Sequence, residues 1–130
     1  FKKYPVGEVS KIINDDIIIV VMLETPKAIN NVEEIASVPG IDVLLVGTND
    51  LCMEMGIPGE FNHNDVKEAY KKVIQACNNN NILPGMGGVY DETLMHEYID
   101  LGMKFILSGS DLSFLVKGAE DRLNNLKNKG

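Results

Sequence analysis

Glu24 and Asp50 are the two residues of this chain whose type and spacing could do chemistry. Glu24 closes the apolar run Ile17-Ile18-Ile19-Val20-Val21-Met22-Leu23, and Asp50 lies just beyond Val43-Leu44-Leu45-Val46-Gly47. Near-continuous apolar, β-branched runs without alternation read as parallel strands covered on both faces. In parallel α/β folds the loops after the strands form the ligand face. Neighbouring strands lie ~4.8 Å apart, so the two carboxylates can converge on one site. Two oxygen ligands with the other positions open suit Mg²⁺, which keeps waters or takes substrate oxygens. Mn²⁺ and Co²⁺ also fit. A cation held in this way polarises a carbonyl and stabilises an enolate as a Lewis acid. The backbone amides of Asn49 and Asp50, at the start of an expected helix, offer donors to a substrate carboxylate. Cation, amides and the bend at Gly47 together describe a site for a small 2-oxo acid.

Each acid also has a plainer reading. An acid after a strand often does no more than cap the next helix, and for Asp50 that alternative stays open. Glu24 is harder to treat so, because a carboxylate ending a long apolar run needs a partner. His63 reads as a loop residue before a helix, and His96, near Glu97 and Asp100, as a solvated helix residue. The six methionines read mostly as packing. Gly85-Met86-Gly87-Gly88 lacks the Lys-Ser/Thr pair of a phosphate-binding loop.

The elements that must position these acids follow from periodicity. Tyr4-Pro5-Val6 opens a helix carrying Val9, Ile12 and Ile13, ended by Asn14-Asp15-Asp16. After the first strand, Thr25 caps and Pro26 starts a helix with Ile29, Val32, Ile35 and Ala36 on one stripe, stopped by Pro39-Gly40. After the second strand, Asn49-Asp50 cap a short turn that ends at Gly56. Asn64 caps the next helix, whose inward face is Val66, Ala69, Tyr70, Val73, Ile74 and Cys77, and Asn78 to Asn81 end it. Ile82 to Gly88 is a third strand with a glycine-rich exit. Asp91 caps a helix containing Leu94, Met95, Tyr98 and Ile99, ended by Gly102. Phe105 to Gly109 is the fourth strand. Ser110-Asp111 cap a last helix with Leu112, Leu115, Val116, Ala119 and Leu123 inward. Strands alternating with helices imply a single α/β domain with a parallel sheet and right-handed crossovers. Four strands make either half a barrel or an open doubly wound sheet, and a half barrel leaves two edges to be covered.

Composition narrows the partners. The chain has 130 residues, 45% of them hydrophobic and 24% charged, the values of an ordinary globular protein. A net charge of −7 argues against a nucleic-acid backbone and against an anionic membrane surface. No apolar run reaches the ~18 residues of a membrane-spanning helix, and no secretory leader is recognisable. Cys52 and Cys77 lack metal-ligand or CxxC spacing. They read as buried, reduced thiols, which fits a cytoplasmic location. The start at Phe1 suggests a piece of a longer protein.

Several stretches in order resemble the HpcH/HpaI aldolase/citrate lyase family. They are Val21-Met22-Leu23-Glu24-Thr25-Pro26, Val38-Pro39-Gly40-Ile41-Asp42-Val43, Val46-Gly47-Thr48-Asn49-Asp50-Leu51 and Leu101-Gly102, together with Gly56-Ile57-Pro58-Gly59 and His63. The resemblance spans nearly the whole chain and implies the C-terminal half of a TIM-type (β/α)₈ barrel. It implies a class II aldolase or lyase, in which Glu24 and Asp50 hold a divalent metal and Gly47, Thr48 and Asn49 bind the substrate carboxylate. It implies cleavage of 4-hydroxy-2-oxo acids to pyruvate and an aldehyde through a metal-stabilised enolate, in a homo-oligomer with exchanged C-terminal helices. The family's catalytic His and substrate-binding Arg are expected in the N-terminal half, since the one arginine, Arg122, falls on the last helix. Met22 stands where many of the aldolases carry Gln, and Gly87 where some carry Leu. The alternatives are an inactive truncated fragment, a non-catalytic module, and a related citrate lyase-like or phosphoenolpyruvate-using enzyme.

Overall fold

The computed structural model describes residues 5–127. Its strands are β1 (Val20–Leu23), β2 (Val43–Gly47), β3 (Leu83–Gly87) and β4 (Phe105–Ile106). Its helices are α1 (Val6–Asp16), α2 (Pro26–Asn30), α3 (Val32–Ala36), α4 (Thr48–Glu54), α5 (Asn64–Asn80), α6 (Glu92–Leu101) and α7 (Asp111–Lys127). All neighbouring strands pair in parallel, and the sheet order is β1-β2-β3-β4. A doubly wound sheet reverses its strand order at a switch point. This sheet does not, so of the two expected architectures it takes the barrel-type arc.

The two faces of the sheet differ. Leu23, Leu44, Val46 and Met86 point to one side and join a core with Val66, Ala69, Tyr70, Val73 and Cys77 of α5. Full burial of a Val, Leu or Met side chain in this core is worth roughly 1.5–3 kcal/mol. Residues of opposite parity take the other, concave side. There Val43 and Leu45 lie over Gly85, where an added Cβ would come within 3.1 Å and 3.0 Å of them. At its ends this face opens: Val20 and Leu83 are exposed at the amino edge, and Met22 and Leu107 toward the carboxyl edge.

Local chemistry explains most boundaries. Thr25 caps α2, its Oγ1 accepting from the Ala28 amide at 3.1 Å, with Pro26 in the first turn. Asp91 caps α6 by accepting from the Leu94 amide at 2.9 Å. Gly102 ends α6 with φ 130°, where an L side chain would be strained. Asn81 ends α5 in the left-handed conformation, φ 56°, which Asn tolerates better than most residues.

Several expectations are corrected. The first strand is four residues rather than seven, because pairing with β2 begins at Val20; Ile17, Ile18 and Ile19 are exposed. Asp42 still holds Ile19, its carboxylate accepting from the Ile19 amide at 2.7 Å. The stripe from Ile29 to Ala36 is broken at Asn31, φ −102° and ψ 15°, into two short helices. Gly47, not Asn49-Asp50, occupies the cap position of α4, which starts at Thr48. His63, not Asn64, caps α5, its Nδ1 accepting from the Asp65 amide at 3.2 Å. The fourth strand keeps only Phe105 and Ile106. The expected inward face of α7 is exposed: Leu112, Leu115, Val116 and Leu123 are all 48% exposed or more. On α1, Val9 is half-buried, while Ile12 and Ile13 are exposed. Tyr4 lies outside the described residues.

Candidate functional site

The register places the two acids at neighbouring strand ends. Leu23 pairs with Val46, so Glu24 comes opposite Gly47 at the carboxyl edge. Glu24 shares the concave face with Met22, and its side chain runs over Gly47. A Cβ at residue 47 would come within 2.7 Å of Glu24 Cγ and 2.9 Å of Oε1. Gly47 has φ −81°, so its requirement is for space rather than for unusual backbone. Asp50 stands in the first turn of α4. It lines an open cleft of roughly 210 Å³ with Met22, Gly47, Thr48, Asn49, Gly87, Gly88, Tyr90 and Leu107. Both acids therefore reach the same rim, Asp50 directly and Glu24 through its contact with Gly47. Among the described residues neither carboxylate has an ion pair or side-chain hydrogen bond.

The donor set bears on which ion could sit here. No group of three or more His, Cys, Asp and Glu residues converges among those described. A structural zinc site, which wants three or four such ligands, is not what these residues offer. Two carboxylates at a solvent-open rim match the few protein ligands with which Mg²⁺ is usually held.

The three loop residues have different surroundings. Gly47 makes the room for Glu24. Asn49 is exposed and leans on the next loop, its Nδ2 donating to the Gly88 carbonyl at 3.3 Å. A Cβ on Gly88, which has φ 84°, would meet that Nδ2 at 2.6 Å. Thr48 is fully buried. Its Oγ1 donates to the Gly87 carbonyl at 2.7 Å and lies 2.7 Å from the Tyr70 hydroxyl. A threonine hydroxyl has one proton. With that proton on Gly87, Tyr70 is the donor to Thr48. Burial pushes the Tyr70 phenol up to about 12, outweighing the lowering effect of the Thr48 hydrogen bond, so Tyr70 stays a neutral donor.

Behind this contact Tyr70 stacks on Tyr98, with ring centroids 4.0 Å apart, and Tyr98 donates to the Phe61 carbonyl at 2.5 Å. Burial, and then the neighbouring Tyr70, push the Tyr98 phenol up as well. In sequence Tyr70 reads only as a core residue on the inward face of its helix. The available signal was a threonine at the end of a buried strand, since a buried hydroxyl must find a partner. Tyr90 and Leu107, which line the cleft with Met22 and Gly87, carry no signal in the sequence that marks them as its walls. His63 serves as a helix cap, and His96 stands exposed on α6. Cys52 and Cys77 are buried free thiols, each pushed up chiefly by burial, Cys77 to about 11. No described helix is long and apolar enough to cross a membrane.

Comparison with known proteins adds an independent line. The profile of the HpcH/HpaI aldolase/citrate lyase family matches residues 3–118. A 4-hydroxy-4-methyl-2-oxoglutarate aldolase of Chaetomium globosum is 38% identical over 105 residues, 79% of this chain and 39% of that protein. A 4-hydroxy-2-oxo-heptane-1,7-dioate aldolase of Klebsiella pneumoniae is 34% identical over 107 residues, 82% of this chain and 40% of that protein. The crystal structure of an HpcH/HpaI aldolase from Desulfitobacterium hafniense superimposes with a TM-score of 0.79 at 27% identity, covering 100% of this chain and 50% of that one. The chain thus spans about two-fifths of these curated relatives and half of the solved one.

Proposed function

The chain belongs to the HpcH/HpaI aldolase/citrate lyase family, and from that premise we propose that the protein is a metal-dependent carbon–carbon lyase acting on 4-hydroxy-2-oxo acids. The products would be pyruvate and an aldehyde. The observation that carries this reading is the pair Glu24 and Asp50 at the carboxyl edge of β1 and β2: Asp50 lines the cleft, Glu24 packs on Gly47 of its wall, and neither is paired among the described residues. Glu24 and Asp50 would hold the divalent cation, Mg²⁺ first, with Mn²⁺ or Co²⁺ as substitutes. The cation would supply Lewis-acid polarisation of the substrate carbonyl.

The chain's own residues do the positioning. Gly47 gives Glu24 its place against β2. Asn49 ties the β2 exit to the β3 exit through Gly88. Gly47, Thr48 and Asn49 form the loop assigned to the substrate carboxylate, and the Thr48 side chain acts from below, in the core. Met22, Leu107 and Tyr90 offer apolar surface to the part of the substrate away from the carboxylate. Neither histidine is assigned a role in proton transfer. The exposed apolar residues of α7 support a homo-oligomer.

The test is pyruvate release by the intact protein from a panel of 4-hydroxy-2-oxo acids, with Mg²⁺, Mn²⁺ or Co²⁺ and with chelator. Turnover that disappears with chelator and returns with metal is expected. Asp50→Ala should abolish Mn²⁺ binding measured by calorimetry. No turnover on any of these substrates, or unchanged Mn²⁺ affinity in Asp50→Ala, would overturn the reading.

A further inference from the structure

We propose that Tyr70 is a positioning residue for the rim: its hydroxyl orients Thr48 so that Thr48 latches the exit of β2 to the exit of β3. The proposal rests in part on the lyase reading above, because it takes the rim to be where the cation and substrate sit.

The geometry has a direction. The Thr48 proton goes to the Gly87 carbonyl at 2.7 Å, so Tyr70 must donate, also at 2.7 Å. The chain of donors runs from helix α5, through the first residue of α4, to the last residue of β3. Each member is fully buried or nearly so, where hydrogen bonds are stronger and rotamers few. Tyr70 cannot drift, since its ring is stacked on Tyr98 and Tyr98 is in turn tied to Phe61.

What the latch controls follows from sequence adjacency. Asp50 lies two residues after Thr48, and Gly88 follows Gly87 directly. The ladder between β2 and β3 ends at the pair Gly47 and Gly87. Beyond it the two exits are joined by Thr48 to Gly87 inside and Asn49 to Gly88 outside. The outer contact is long and solvent-exposed, whereas the inner one is short and buried. The inner contact therefore sets the separation of the two loops, and through it the placement of Asp50. Tyr70 acts on this separation only through Thr48.

The test uses Tyr70→Phe, which keeps the ring stack, together with Thr48→Val, Thr48→Ser and the double variant Tyr70→Phe/Thr48→Val in the intact protein. Two readouts are taken: Mn²⁺ affinity by calorimetry, and amide hydrogen exchange of segments 47–51 and 86–90 by mass spectrometry. Tyr70→Phe is expected to speed exchange in both segments and weaken Mn²⁺ binding about three- to ten-fold, the range one lost hydrogen bond commands. Thr48→Val should do more, Thr48→Ser should retain most of the wild-type behaviour, and the double variant should be no worse than Thr48→Val alone. Additive effects of the two single changes, or unchanged exchange in both segments with Tyr70→Phe, would overturn the latch. If the wild-type protein binds no Mn²⁺, the lyase reading falls, and hydrogen exchange still decides the latch.

Discussion

Replacing Gly47 by alanine adds one methyl group where the nearest neighbour is the side chain proposed to hold the cation. The added Cβ would stand 2.7 Å from Glu24 Cγ, 2.9 Å from Oε1 and 3.3 Å from Cδ. Real Cβ atoms essentially never approach a neighbour closer than 3.0 Å, so at 2.7 Å and 2.9 Å the Glu24 side chain has to move. Backbone conformation contributes nothing to the cost, because φ −81° and ψ 84° at Gly47 lie outside the left-handed region. The whole effect is therefore steric, and overpacking of this size costs about 1–3 kcal/mol. If the Glu24 carboxylate is a ligand, the displacement appears in metal affinity, and the same range corresponds to about a five- to 150-fold rise in Kd. The assay is a double-mutant cycle in the intact protein, read by urea unfolding without metal and by Mn²⁺ calorimetry. Gly47→Ala should lower stability, and Glu24→Ala should restore most of it by removing Cγ and the carboxylate from the methyl's path. Additive destabilisation in the cycle would refute the packing argument. Recovered stability together with unchanged Mn²⁺ affinity in Gly47→Ala would refute the role of Glu24 as a ligand while leaving the packing intact.

Two further outcomes follow from the fold. The Cys77 thiol is raised from 9.0 to about 11, chiefly by burial. Above pH 9 the unfolded chain releases this proton while the folded one holds it, so the stability is fully present below pH 9 and is lost as pH rises toward 11. Two pKa units correspond to about 3 kcal/mol. Tyr70, raised to about 12, extends the loss above pH 10. Urea unfolding at pH 8 to 11 should show this decline with a shallower slope in Cys77→Ala, and equal slopes would contradict the burial argument. Removing the cap of α6 with Asp91→Ala leaves the Leu94 amide without its 2.9 Å acceptor and should cost about 1 kcal/mol, read as a shift in the urea midpoint at constant slope.

The strands and caps that are legible in the sequence are those whose signals are local. Val43 to Gly47 is apolar throughout and buried throughout, so its pattern and its environment agree. Thr25, Asp91 and Gly102 act within their own turns, and each does what its type predicts. Ile17 to Ile19 carry the same apolar signal as Val43 to Val46, but the ladder with β2 starts at Val20, Ile19 meets β2 only through its carbonyl, and all three are exposed, so the signal overstates the strand. Apolar periodicity reports which residues would be buried by a partner surface, and α7 shows the stripe without the partner among the described residues. His63 displaced Asn64 as a cap because a ring nitrogen accepts an amide as readily as an amide oxygen does, and spacing alone does not separate adjacent acceptors.

The candidate site divides along the same line. Glu24 and Asp50 stand out as candidates because each is a charge following an apolar run, although an acid after a strand can also do no more than cap the next helix. The Tyr70–Thr48–Gly87 chain does not, because its members are 22 and 39 residues apart and meet only once a helix packs on the sheet. Tyrosine on a helix's inward face is satisfied as a core residue by its ring alone, so the sequence pattern leaves the hydroxyl unaccounted for. That leftover group is where tertiary structure acts on the site. Candidates for binding can be picked by type and position, whereas residues that would hold them in place are defined by a partner distant in sequence. Tyr70 belongs to the second kind, and so does Gly47, whose missing side chain matters only because Glu24 from the neighbouring strand fills the space.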